Sequence, residues 1–438
     1  MAAAASGYAD FAAGKTIHAY CRARLILASA NTDFPFQGVF MTTLPRIDAF
    51  TDELIEIRHD IHAHPEIGFE EQRTSAIVAA YLQALGLDVH TGIGKTGVIG
   101  LIDGKRGPGK TIGLRADMDA LPMTEETALP FASKHPGRFH GCGHDGHTTM
   151  LLGAARYLAE TRDFAGRVML IFQPAEEGLG GARAMIAEKL FERFPCDEIY
   201  ALHNAPHLDH GQIRVMSGKA MAGAEFFDIV IRGRGSHGAQ PNNARDPIVV
   251  ATQLSQAMQS IVSRNTDPLD AAVVSITQLH SGSAYNVIPQ SATLSGTIRT
   301  FDDGVAALIH ERIRELSAGV ANAYGVEIDV DIRNIFSVLE NHAEQTGALE
   351  AAAKEIVGDA NVGDLGRPAM GSEDFADMLK VVPGSYCWVG HAGDIPVHNP
   401  AFVLDDGILP VGASLLARVA ERRLNELADV AESRAVSA

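Results

Sequence analysis

Cysteine is scarce. Cys21, Cys142, Cys196 and Cys387 are the four in 438 residues, too few and too scattered for a disulfide framework, so a reducing compartment fits best. Basic charge is also in short supply: 36 Lys and Arg stand against 54 Asp and Glu, a formal net charge of -18. That balance argues against nucleic acid or an anionic membrane as the main partner. No apolar run approaches the roughly 20 residues that span a bilayer, and the N-terminal stretch has no basic start followed by a long apolar segment. A cytoplasmic protein is therefore expected. Internal repeats, low-complexity segments and heptad runs are missing as well, which sets aside solenoids and coiled coils.

What is present has the composition of an ordinary soluble globular chain, with 46% hydrophobic and 21% charged residues and a high count of 43 glycines. The length exceeds what one hydrophobic core supports, so two domains are expected, one of which could be inserted in the other. Residues 1–41 are Ala-rich and weakly patterned; either Met41 is the natural start, or the segment is a genuine, poorly ordered extension. Beyond it, Phe50, Leu54, Ile57 and Ile61 fall at helical spacing, as do Ile77, Val78, Tyr81, Leu82 and Leu85 before a stop at Gly86. Apolar runs at 111–114, 168–172, 199–202 and 386–389 alternate with helical stretches such as 150–158, which predicts an α/β layered catalytic domain over 42–222 and 333–438. Between 223 and 332 the order changes to strands at 225–232, 272–279, 292–299 and 326–332, with helices at 247–262 and 305–324. This β-α-β-β-α-β order predicts a small ferredoxin-like domain inserted into the larger one. Asp246 before Pro247 supplies a helix cap and a proline at the first helical position.

The chemistry concentrates in FHGCGHDGHTTM, where Cys142, His144, Asp145 and His147 fall within six positions among glycines. On an extended backbone a thiol and an imidazole two residues apart point the same way, so Cys142 and His144 are expected to reach one metal centre together. The strand VMLIF runs into QPAEEG, delivering Glu176 and Glu177 where an open α/β sheet presents its active-site loop. Adjacent side chains diverge, which suits one carboxylate as a metal ligand and the other as general base. His203 follows another strand and His398 lies in a late loop. With Cys142, His144 and Glu177 they make five candidate ligands, enough for two divalent ions if one ligand bridges. Asp117 and Asp119 in LRADMDALP sit at a strand end, where they could orient imidazoles or simply cap a turn.

The motifs HAHPEIGFEE, RADMDALP, GCGHDGHT, QPAEEG, ALHN, GRGSHGAQP, NVIP, GSEDFA and HNP, in this order along the chain, resemble the hippurate hydrolase family, which includes bacterial N-acyl amino acid amidohydrolases and plant auxin-conjugate hydrolases. The resemblance implies Cys142, His144, Glu177, His203 and His398 as ligands of two divalent ions and Glu176 as the base. It also implies an aminopeptidase-like α/β/α catalytic domain, with the insert acting as lid and dimer-forming domain. The metal expected from thiolate and imidazole donors is zinc, with manganese, cobalt and nickel as alternatives. Within the insert, His237, Asn286 and Arg299 follow or end strands; the resemblance points them toward an oxyanion and a substrate carboxylate. The activity it implies is hydrolysis of N-acyl or N-aroyl amino acids, small-molecule substrates, by a homodimer or higher homo-oligomer. Dipeptidase, carboxypeptidase and N-deacetylase activities would use the same two-metal chemistry. A cysteine hydrolase built on Cys142 and His203 would leave Glu176, Glu177 and His398 without a role, and a non-catalytic binding protein would not need a complete ligand set and base.

Overall fold

The computed structural model describes the backbone of residues 42–436; the expectations for residues 1–41, Cys21 and Met41 among them, lie outside the described residues. Two sheets carry the architecture. The larger has eight strands, and its centre is four mutually parallel ones in the order Arg167–Gln173, Thr111–Asp117, Glu198–Ala205, Gly384–Gly390. An antiparallel hairpin, Asp88–Ile93 with Gly97–Asp103, extends one side, and the short strands Ile213–Val215 and Val362–Asp364 extend the other.

The central strands are apolar on both faces because helices cover both. Along Arg167–Gln173, Val168, Leu170 and Phe172 join one core with Leu54, Leu82 and Leu151, while Met169 and Ile171 join a second with Met185, Phe375 and Tyr386. That period of two, buried on either side, is how a parallel α/β/α sheet is built. After a short helix at Pro45–Asp48, the helices Thr51–Ala63 and Gln72–Ala84 occur close to where the apolar spacing places them. Gly86 terminates the latter in the left-handed region, φ +73°.

Residues from Gly223 to Phe336 form the smaller sheet, with four antiparallel strands ordered Ala272–Ser281, Ser291–Thr300, Gly223–Arg232, Glu327–Phe336. The helices Pro247–Ser260 and Asp303–Tyr324 pack on one face around Phe227, Ile229, Leu254, Met258, Leu294 and Ile309. Asp246 caps the first helix through Ile248 N–H, as its sequence foretells. The last strand continues to Phe336, past the expected end at 332. Among the described residues the sheet's other face carries no helix of its own; it turns Phe226 and Arg299 toward the larger sheet's loops.

Candidate metal centre and active site

The four parallel strands all end on one side, and their C-terminal loops carry the candidate residues. This is where open α/β sheets bind ligands, because the connections diverge there and leave a crevice. The strand ending at Asp117 leads to Asp119; the one ending at Gln173 leads to Glu176 and Glu177. His203 lies within the strand Glu198–Ala205, and His398 follows the strand Gly384–Gly390.

The local geometry at Cys142 differs from expectation. The chain is not extended there: Gly143, at φ +88°, turns it sharply, and His144 opens an 18-residue helix to Thr161 rather than preceding one that starts at 150. The turn needs glycine twice over, since a Cβ on Gly143 would also lie 2.4 Å from the Asn204 side-chain amide. That amide donates to the Cys142 carbonyl at 2.6 Å. Cys142 and His144 still converge, but through a turn and a helix start.

With His203, their donor atoms lie within 4.8 Å of one another, and Cys142 forms a second group of that size with Glu177 and His398. Cys142 belongs to both groups, the position a bridging ligand requires. Each imidazole is aimed by its other nitrogen. His203 Nδ1 faces the Asn204 carbonyl at 2.7 Å, turning Nε2 to Cys142 Sγ at 3.4 Å. His144 Nδ1 faces Asp119 at 3.2 Å. Among the described residues its Nε2 is left buried with no hydrogen-bond partner, 3.8 Å from the buried Glu177 Oε1, which His398 Nε2 approaches to 3.2 Å from the other side. A buried imidazole nitrogen left without a hydrogen bond is costly unless a ligand takes it up.

The surrounding charge makes the same demand. Burial, reinforced by Glu177 and Glu176, pushes the Cys142 thiol well above its usual range. Burial together with Glu373, Glu177, Asp374 and Asp119 does the same to the Glu176 carboxyl, and burial beside His147 holds His203 neutral. A thiol with a raised pKa is the opposite of an activated nucleophile, so the cysteine-hydrolase reading fails on electrostatics. A buried thiol and a buried carboxyl that resist ionisation by themselves, set beside a neutral imidazole, fit divalent cations, whose charge reverses the preference.

Asp119 accepts the backbone N–H groups of both Glu176 and Glu177 at 3.0 Å while facing His144. It thus ties the acidic loop to the start of the helix. Asp117 takes a different imidazole, His147 Nδ1, at 2.7 Å, and His147 Nε2 accepts the Asn204 backbone N–H. Both His147 nitrogens are used, which makes it a brace despite its place in the motif. Two non-glycine residues at the site, Ala175 (φ 55°) and His398 (φ 64°), hold left-handed backbone, strain that persists only where neighbours enforce it. Glu71 accepts the Ala175 N–H at 2.8 Å, and the His398 N–H donates to the Gly141 carbonyl at 2.8 Å.

Two supporting networks escape sequence reasoning. Arg115, buried within an apolar strand, donates to Asp117 (2.8 Å), Glu373 (2.8 Å) and Asp374 (3.1 Å); Asp374 in turn offers its backbone N–H to Glu176 at 3.4 Å. A charged residue inside an apolar strand was the available signal. Behind the helix start, Asp145 accepts from Arg58 at 3.0 Å and lies 2.8 Å from His62 Nδ1. Burial opposes a charge on His62, yet Asp145 and Glu125, 3.3 Å from its Nε2, together outweigh it and raise the imidazole to about 9.

These groups open into a cleft of about 710 Å³, lined by Cys142, Glu176, Glu177, His203 and His398 on one side and by Arg299 from the smaller sheet. Arg299 donates to Ser372 Oγ at 2.6 Å. His237 and Asn286 do not join them. They line a separate exposed cleft beyond the Ser291 end of the sheet, and at ~3.3 Å per residue that is roughly 25 Å from Arg299 along the strand. Within one chain the three therefore lie apart, because the strand carrying Arg299 runs the length of the sheet between them.

Residues 113–422 match Peptidase family M20/M25/M40. Hippurate hydrolase of Campylobacter jejuni is 42% identical over 384 residues, spanning 88% of this chain and 100% of that relative. N-acetylcysteine deacetylase of Bacillus subtilis is 40% identical over 374 residues, 85% of this chain and 97% of the relative. Among solved structures, a Bacillus subtilis protein described as a dinuclear metal binding peptidase from the M20 family superposes with a TM-score of 0.75 at 35% identity, covering 86% of this chain and 99% of the other.

Proposed function

The chain belongs to peptidase family M20/M25/M40, and from that premise we propose that it is a metal-dependent amidohydrolase cleaving N-acyl or N-aroyl amino acids to a carboxylic acid and an amino acid. The observation that carries the reading is the convergence of two donor groups that share Cys142, one with His144 and His203 and one with Glu177 and His398, around the buried His144 Nε2, which has no hydrogen-bond partner among the described residues. We assign these five residues as ligands of two divalent ions, with Cys142 bridging. Zinc suits a thiolate and three imidazoles best; manganese, cobalt and nickel are the alternatives. Bound there, the ions would acidify water and polarise the scissile carbonyl.

Glu176, beside the ligand Glu177 and held by Asp119, takes the proton of the attacking water and returns it to the leaving amine. Arg299 grips the substrate carboxylate with a paired, charge-assisted contact. In a chain of net charge -18 no described carboxylate pairs with Arg299, and its contact is the neutral Ser372, which supports that role. Residues 223–332 act as lid and dimer-forming domain. His237 then serves as the oxyanion donor in the site of a second copy, with Asn286 beside it. The free thiols of Cys142, Cys196 and Cys387 support a cytoplasmic location; among the described residues no helix is long and apolar enough to cross a membrane.

The test is metal removal and reloading with zinc or manganese, assayed by amine release from benzoyl and acetyl amino acids and from dipeptides. Acyl amino acids should be cleaved only by reloaded protein. Cleavage of dipeptides alone would overturn the substrate assignment, and full activity in metal-free protein would overturn the mechanism.

A further inference from the structure

The cation in the cleft has apolar neighbours fixed by strand register. Arg299, Ala224 and Phe336 stand opposite one another across three adjacent strands of the smaller sheet, and directly opposed residues point to the same face. Phe226, two positions from Ala224, shares that face. The last strand is irregular between Asn334 and Phe336, and the extra residue of this bulge is what returns Phe336 to the Arg299 side. Ala224, short and central, leaves a low floor between them. From the larger sheet's side, Met221 and Met370 line the same cleft. Arg299 thus shares the cleft with four large apolar side chains, Met221, Phe226, Phe336 and Met370, of which Phe226 is 39% exposed.

We propose that the amino acid released by this enzyme carries a bulky apolar side chain, of the leucine, methionine or phenylalanine type. The inference rests on Arg299 as the grip for the substrate carboxylate. The side chain of an amino acid branches one bond from that carboxylate, so whatever surrounds Arg299 surrounds the side chain. Glycine would leave Phe226, Phe336 and Met370 facing water, forfeiting the burial that a leucine or phenylalanine provides. An acidic side chain would bring a second carboxylate into an apolar cluster where, among the described residues lining the cleft, Arg299 is the one Arg or Lys; burying it unpaired is unfavourable.

The experiment holds the acyl group constant and varies the amino acid: kcat/KM of the metal-loaded enzyme on benzoyl-glycine, benzoyl-leucine, benzoyl-phenylalanine and benzoyl-glutamate. Leucine and phenylalanine should exceed glycine by about tenfold or more, since full burial of such a side chain is worth that much, and glutamate should be poor. Phe226→Ala and Phe336→Ala should each shrink the leucine-to-glycine ratio. Preference for glycine or glutamate, or an unchanged ratio in both variants, overturns the proposal. So does a shift of both variants in acetyl-versus-benzoyl preference on a fixed leucine, which would give the cluster to the acyl group. Cleavage of none of the benzoyl or acetyl amino acids would instead remove the parent reading, a result distinct from a reversed preference.

Discussion

Asp119→Asn isolates the single side chain on which the site's geometry converges. In the parent, one carboxylate accepts the Glu176 N–H, accepts the Glu177 N–H and orients His144 Nδ1. Asparagine keeps the shape and one acceptor oxygen, but its amide nitrogen can only donate. Whichever way it turns, that nitrogen confronts a backbone N–H or the imidazole N–H. At least one buried donor is left unpaired, costing ~1–3 kcal/mol, and the charge assistance of the remaining bond is lost. The consequence falls on the two ligands being held, Glu177 and His144. Loss of such an orienting partner typically weakens metal binding by about 10–100-fold. The assay is competition for zinc against a chelator of known affinity, with circular dichroism to verify that the variant is folded. A folded Asp119→Asn protein that binds zinc as tightly as the parent would refute the claim that Asp119 holds the site.

Cys142→Ser should lose metal and activity together, by metal analysis alongside turnover; full metal content would remove Cys142 from the ligand set. Glu176→Gln should keep both metals and substrate affinity yet lose about 10²–10⁴-fold in turnover, the usual contribution of a general base, so near-normal turnover would name another base. Arg299→Ala should raise KM for an acyl amino acid while sparing its amide, and equal damage to both would misassign the grip. His237→Ala should cost roughly 10²–10³-fold in turnover if it donates to the oxyanion, and mixed dimers with Glu176→Gln should recover activity if donation crosses subunits. His62, raised from 6.5 to about 9 because Asp145 and Glu125 together outweigh burial, contributes stability that is complete below pH 6.5 and lost as pH rises through about 9. NMR titration should find its imidazole charged at neutral pH, and a midpoint near 6.5 would sink the Asp145 pairing.

Much of the fold was legible because it is local. Apolar spacing located the central strands and both N-terminal helices, since period 2 and period 3.6 are written along the chain. The β-α-β-β-α-β order of the insert was readable for the same reason, and so was its Asp246–Pro247 cap. The donor types in GCGHDGH and QPAEEG indicated a metal centre because few other sites gather a thiol, imidazoles and carboxylates. What was misread at Cys142 was conformation: a helix start behind a left-handed glycine brings two side chains together as effectively as an extended strand, and the residue types are the same either way.

What the sequence determined by itself, then, was the kinds of element and the kinds of donor, both set by local steric preference and side-chain chemistry. Only the tertiary structure decided which donors meet. Parallel pairing of strands far apart in the chain brings Asp119, Glu176, His203 and His398 to one edge, and no local pattern encodes which strand lies beside which. The same holds for Arg115, two of whose carboxylate partners, Glu373 and Asp374, come from a distant segment of the chain, and for Arg299, which the smaller sheet turns into the cleft beside the candidate ligands while His237 is carried to the other end. Register, not composition, separates those two, because each residue along a strand adds a fixed rise and only the assembled sheet says toward which end the site lies.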